Sequence, residues 1–217
     1  MAHQKILGVL AGCHMSASKI SAWVESADLV IAADGGMLRV FEAGYIPDVV
    51  IGDFDSTSIE SVSPESVAIV DKQQNSTDCG KLLAYVKDQG YSSITLICAE
   101  GDLTDHFLDT LHCSVRTDLH VHIGLERGIA HVLDGPVNQT IATEPGKRVS
   151  LIPLETVTNA SMQGVRWEFS GQILSVRGFT SISNISVDSE VKVSFDEGSA
   201  YLFIESEEPE WYGPASK

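Results

Sequence analysis

The hydrophobic period of this chain changes near residue 125, and that change narrows the possible folds more than any other feature. Upstream, short apolar runs at 6–11, 29–33, 49–51, 67–70, 94–98 and 119–123 have helical segments in most of the gaps. Residues 37–43 read as one short helix. Cys79, Leu82, Leu83 and Val86 recur at i, i+3, i+4 and i+7 in a second, and Phe107, Leu108, Leu111 and Val115 mark a third. This alternation predicts a mainly parallel sheet with helices on both faces, a Rossmann-like α/β domain over 1–124. Downstream, short β runs at 129–133, 139–142, 149–152, 165–169, 191–195 and 200–204 are separated by Gly, Pro and Asn. Closely spaced strands without helical periods predict an antiparallel β-sandwich domain over 125–206. Residues 207–217 are polar and proline-broken and read as a flexible tail.

Charge excludes one large class of partners. Asp and Glu number 30 against 14 Lys and Arg, a formal net charge of −16. Such a field repels nucleic acid, and no basic stripe offsets it. It also repels polyphosphates unless a cation compensates. No run of eighteen apolar residues suggests a membrane span, and no basic-then-apolar leader suggests secretion, so a cytoplasmic protein is expected. Cys13, Cys79, Cys98 and Cys113 have no CxxC spacing and lie mostly in apolar stretches. Reduced, buried thiols suit them better than disulfides or zinc.

Within the first domain, the acids fall where chemistry is expected. In IPDVVIGDFDSTS, Gly52 lets the backbone turn after an apolar run, and Asp53 and Asp55 follow two residues apart. Residues i and i+2 of an extended segment share a face, so both carboxylates can meet one Mg²⁺, which takes one or two carboxylates plus nucleotide phosphates. Solvated turn aspartates are the competing reading. Asp34, Gly35 and Gly36 follow another apolar run, where glycines leave backbone N–H groups open to phosphate. Asp78 in NSTD, and Asp105 with His106 in GDLTDH, each head a helix. Both aspartates also suit a helix's first turn electrostatically, with Thr77 or Thr104 as cap. All these positions lie at carboxyl ends of predicted strands, the ligand-binding edge of open α/β sheets.

The ordered set ADGG, PDVVIGDFDS, a D…TD segment, G…DH, then SLIPL, a Gly-x-x-Trp and a final SN resembles the thiamin pyrophosphokinase family over roughly residues 6–205. The resemblance implies transfer of pyrophosphate from ATP to the thiamin hydroxyl, giving thiamin diphosphate and AMP. It assigns Asp53, Asp55 and Asp78 to Mg²⁺ and catalysis. Asp34, Gly35, Gly36, Gln74, Asp105 and His106 are assigned to the nucleotide and substrate cleft. In the second domain it assigns Trp167, Ser183 and Asn184 to thiamin, with the aromatic ring over the aminopyrimidine. It further implies a homodimer whose subunits share sites. By pattern alone, core packing in a Val165–Trp167–Phe169 strand is the preferred reading of Trp167, and only its place in the family order reverses that.

Two positions depart from the family pattern. Leu103 stands where a basic residue is usual, two before Asp105, and Leu38 stands where asparagine is usual. Arg39, Lys72 and Lys81 are the candidate replacements for the missing cation. A related pyrophosphokinase acting on a pterin alcohol, or a catalytically silent thiamin or nucleotide binder, are the alternatives these departures leave open.

Overall fold

The structure, a computed structural model, describes residues 4–54, 58–72, 75–101 and 103–212. The chain forms two compact units. The first takes in residues up to Glu126 together with the segment from Glu208, and the second runs from Arg127 to Glu207.

In the first unit, β1 (Ile6–Val9), β2 (Leu29–Ala33), β3 (Val49–Gly52), β4 (Val67–Val70), β5 (Ser93–Ile97) and β6 (His120–Leu125) are all parallel. Their order is β6-β5-β1-β2-β3-β4. Helices α1 (Ala17–Ser26), α2 (Gly36–Glu42), α3 (Asp78–Asp88) and α4 (Thr104–Arg116) connect them. Each residue of β1, β3 and β5 is buried, as expected of parallel strands covered on both faces. The edge strand β4 leaves Val67 and Val70 exposed. The chain runs one way from β1 to β4 and the other way through β5 and β6, so the sheet has a topological switch point beside β1, where such sheets open a ligand crevice.

The second unit holds β7 (Gly128–Asp134), β8 (Val137–Ala142), β9 (Arg148–Pro153), β10 (Val157–Gln163), β11 (Phe169–Leu174), β12 (Ser181–Ile185), β13 (Glu190–Phe195) and β14 (Ser199–Glu205). They pair antiparallel as β12-β9-β14-β7 and as β11-β10-β13-β8. Burial alternates along them: Val191, Val193 and Phe195 of β13 point inward while Glu190 and Lys192 face water, the pattern of a sheet with one wet face.

Two expectations need correction. The strand expected at 165–169 is a loop, in which Val165 makes one isolated bridge to Ser186 and regular pairing resumes only at Phe169. Gly164 ends β10 with φ +80, and a Cβ there would stand 2.1 Å from the Glu190 carbonyl oxygen. Only glycine fits so close an approach in a left-handed conformation. The segment read as a flexible tail is docked through residue 212. Trp211 meets Trp23 edge-on with centroids 5.2 Å apart, donates its indole N–H to Ser26 Oγ at 3.0 Å, and lies 5.8 Å from the Lys5 ammonium. One aromatic anchor outweighs the polar composition around it.

Candidate functional site

Asp34 leaves the end of β2 with φ 39 and is almost fully buried, and its backbone N–H donates to the Ile51 carbonyl of the neighbouring β3 at 2.7 Å. A Cβ on Gly52 would come within 2.9 Å of the Asp34 Cβ. The glycine of the GDFD sequence therefore makes room for one acid while turning the chain toward the next, Asp53. Across the sheet edge, Asp78 opens α3, and Thr77 Oγ1 caps that helix by accepting from the Gly80 N–H at 3.3 Å.

Lys81 joins these elements. It lies one helical turn after Asp78, and its side chain is only 2% exposed. Its Nζ sits 3.1 Å from Asp53 Oδ2 and 3.6 Å from Asp78 Oδ1. Burial raises the Asp78 pKa; Lys81 opposes this, while the negative charges of Asp34 and Asp53 push it further up. Burial also disfavours the Lys81 ammonium, but its hydrogen bond to Asp53 and the charges of Asp78 and Asp53 outweigh that cost and leave its pKa raised. The sequence offered Lys81 only as a substitute cation. Its i, i+3 spacing from Asp78 was the available signal.

Asp53 and Asp78, from different elements, thus converge on one cation. All their donor atoms are oxygens, which suits a hard divalent ion that completes its shell with phosphate and water. Among the described residues, no set of three acidic, imidazole or thiol side chains is gathered for a metal. Asp55 and Gln74 lie outside the described residues. Replacing Lys81 with Met should leave the carboxylates uncompensated and destabilise the metal-free protein by about 2 kcal/mol, between the limits for exposed and buried pairs. Melting curves with and without Mg²⁺ check this, and the variant should gain more from Mg²⁺ than the parent does.

The remaining predicted residues of this unit divide by role. Gly36 has no room for a side chain, since a Cβ there would lie 2.1 Å from the Val9 carbonyl oxygen. Gly35 is roomier, with 3.3 Å to the Ala11 Cβ. Asp105 and His106 stand exposed in the first turn of α4. The N-cap of that helix is Leu103, which offers no side-chain bond, so Thr104 does not cap it. Leu103 and Leu38 are both exposed. Of the candidate replacement cations, Arg39 pairs with Glu42 at 2.7 Å and Lys72 is exposed, whereas Lys81 is held among the acids.

In the second unit, Trp167 is 58% exposed on the loop between β10 and β11, which overturns its reading as strand core. Arg166 lies over its ring, 5.6 Å from the centroid. Ser183 is exposed at φ +57, in a bulge where β12 shifts register against β9. The next residue, Asn184, is 2% exposed, and its amide bonds to the Trp167 backbone.

Comparison with known proteins agrees with this arrangement. The model of the thiamin pyrophosphokinase catalytic domain matches residues 20–124, and that of the thiamin pyrophosphokinase vitamin B1 binding domain matches residues 138–199. The thiamine pyrophosphokinase of Bacillus subtilis is 23% identical over 190 residues, spanning 82% of this chain and 88% of the relative. Thiamine pyrophosphokinase 1 of Oryza sativa is 25% identical over 203 residues, spanning 79% and 77%. In fold, the crystal structure of thiamin pyrophosphokinase from Geobacillus thermodenitrificans is similar with a TM-score of 0.79 at 23% identity, covering 94% of this chain and 98% of that one. The yeast thiamin pyrophosphokinase structure gives 0.75 at 15%, covering 94% and 87%. With both family models matching in order across the two units found in the structure, the chain belongs to the thiamin pyrophosphokinase family.

Proposed function

We propose that this chain is a Mg²⁺-dependent thiamin pyrophosphokinase that uses ATP as co-substrate. The convergence of Asp53 and Asp78 on one cation at the carboxyl edge of the parallel sheet carries this reading. In the reaction, the hydroxyethyl oxygen of thiamin forms a bond to the β-phosphorus of ATP and gives up its proton to solvent, the bond from that phosphorus to the α,β-bridging oxygen breaks, and AMP leaves. Chemistry of this kind rests on positioning and charge neutralisation. A divalent ion held by Asp53, Asp55 and Asp78 would supply the neutralising charge when bound. Lys81 holds two of those carboxylates together, its charge opposing the burial that raises the Asp78 pKa, and is the buried cation closest in role to the family's missing basic residue. Asp34, Gly35, Gly36, Gln74, Asp105 and His106 line the nucleotide and substrate cleft in this reading. The exposed ring of Trp167 offers a face to the cationic heteroaromatic acceptor, and Ser183, also exposed, offers a hydroxyl to the same ligand.

The same reading makes the protein a cytoplasmic homodimer, with the aromatic face of one subunit completing the acceptor site of the other. Four free cysteines fit a reducing compartment. No helix among the described residues is long and apolar enough to cross a membrane. Purified protein with ATP and Mg²⁺ should release AMP when thiamin is added and not when hydroxymethyldihydropterin is added. AMP with the pterin alone would move the acceptor assignment, and tight thiamin binding without AMP would remove the catalytic one. For the dimer, mixing Asp53→Asn with Trp167→Ala chains, assayed at thiamin well below the parent KM where both variants turn over slowly, should restore about a quarter of parent activity, because half the dimers are mixed and each mixed dimer keeps one intact site. No recovery after proven subunit exchange would place each site within one chain.

A further inference from the structure

We propose that Asn184 is a positioning residue that clamps the Trp167 loop and makes no hydrogen bond to thiamin itself. The inference rests on the reading of Trp167 as the thiamin-stacking ring. A free asparagine amide has two donors and one oxygen with two lone pairs, and here all are engaged within the protein. Oδ1 accepts from the Trp167 N–H at 3.1 Å and from the Ile185 N–H at 2.9 Å. Nδ2 donates to the Trp167 carbonyl at 2.9 Å and to Ser181 Oγ at 3.3 Å. Because both backbone N–H groups require an acceptor, the orientation of the amide is fixed by its partners. The side chain therefore pairs with both polar groups of the Trp167 backbone, as a neighbouring strand would, at a place where no strand runs.

Local backbone geometry explains why this asparagine is available. The bulge in β12 sets Ser181 opposite Leu151 and Asn184 opposite Val149, so three steps on one strand span two on the other. An odd step count would normally put Ser181 and Asn184 on opposite faces. The bulge, with Ser183 at φ +57, turns both inward, where they are 7% and 2% exposed, and leaves Ser183 pointing out. Bulges re-aim side chains in this way beside functional sites. The Arg166 N–H adds one further bond, to the Ile185 carbonyl at 2.8 Å. Without the Asn184 amide, the backbone of Trp167 itself would have neither of its present partners, and its exposed ring would lose its fixed direction.

The test compares Asn184→Ala, Trp167→Ala and the double variant by thiamin KM, ATP KM, and the rate of tryptic cleavage after Arg166 without ligand. Asn184→Ala should raise the thiamin KM about tenfold, within the range of a lost stacking contact, speed cleavage, and leave the ATP KM at its parent value. The double variant should be no worse for thiamin than Trp167→Ala alone, since Asn184 acts through that ring. Multiplying effects would instead mean that Asn184 touches the substrate, and a lowered melting temperature with parent thiamin KM would mean a purely structural role; either overturns the proposal. Should Asn184→Ala not fold, Asn184→Asp keeps the acceptor for both N–H groups while losing the donor to the Trp167 carbonyl, and the same expectations apply. If Trp167→Ala leaves the thiamin KM unchanged, the stacking assignment and this proposal fall together. Fast cleavage in the Asn184 variants would then show that the clamp exists but serves another purpose.

Discussion

Asp53→Asn loses about a hundredfold or more in AMP release while its melting temperature stays close to the parent's. The amide keeps the volume of the carboxylate and an oxygen that can still accept from Lys81, now 3.1 Å away. What it removes is a full negative charge at the point where the proposed reaction would hold its cation, and losing one preorganised electrostatic contact costs about 10²-fold or more in rate. Asp55→Asn and Asp78→Asn act in the same direction. Steady-state AMP release across a Mg²⁺ titration, paired with thermal unfolding, makes the measurement. Near-parent turnover at every Mg²⁺ concentration in Asp53→Asn would end its assignment to the metal. A drop in stability with normal kinetics in Asp78→Asn would return that residue to a helix-terminus role.

The second large effect belongs to Trp167→Ala. Stacking on a flat ring is worth about 1–3 kcal/mol by alanine substitution in the nucleic-acid case, so the thiamin KM should rise about tenfold or more while the ATP KM holds. With the side chain 58% exposed, the change opens no buried cavity, and the stability loss should fall well below the roughly 3–5 kcal/mol of a core tryptophan. Thiamin and ATP saturation curves, read beside the melting temperature, separate the outcomes. A large loss of stability with unchanged thiamin KM would be incompatible with a ligand-facing ring.

Hydrophobic period made the first unit legible. The runs at 29–33 and 67–70 coincide with β2 and β4, and the helix carrying Cys79, Leu82, Leu83 and Val86 buries all four. Strand ends follow from the same period, so the placement of Asp34, Asp53 and Asp78 at the carboxyl edge followed too. The second unit was harder to read. Strands β10 and β12 carry Thr, Asn, Ser and Gln, and only pairing with neighbours marks them as strands. The loop at Trp167 copied a strand's alternation until Gly164 and the close approach of Glu190 decided otherwise.

The sequence by itself determined the two-part architecture and the chain order of the acids, because period and turn chemistry are properties of neighbouring residues. Tertiary structure alone decided which side chains meet. Lys81 reaches Asp53 across 28 positions, Asn184 reaches Trp167 across 17, and Trp211 reaches Ser26 across 185. Such meetings depend on strand order, a bulge's register shift and the desolvation of particular groups, none of which a local pattern encodes. The physical reason is that a polar side chain acquires its role from the partners left to it after burial, and those partners are assigned only when distant elements pack.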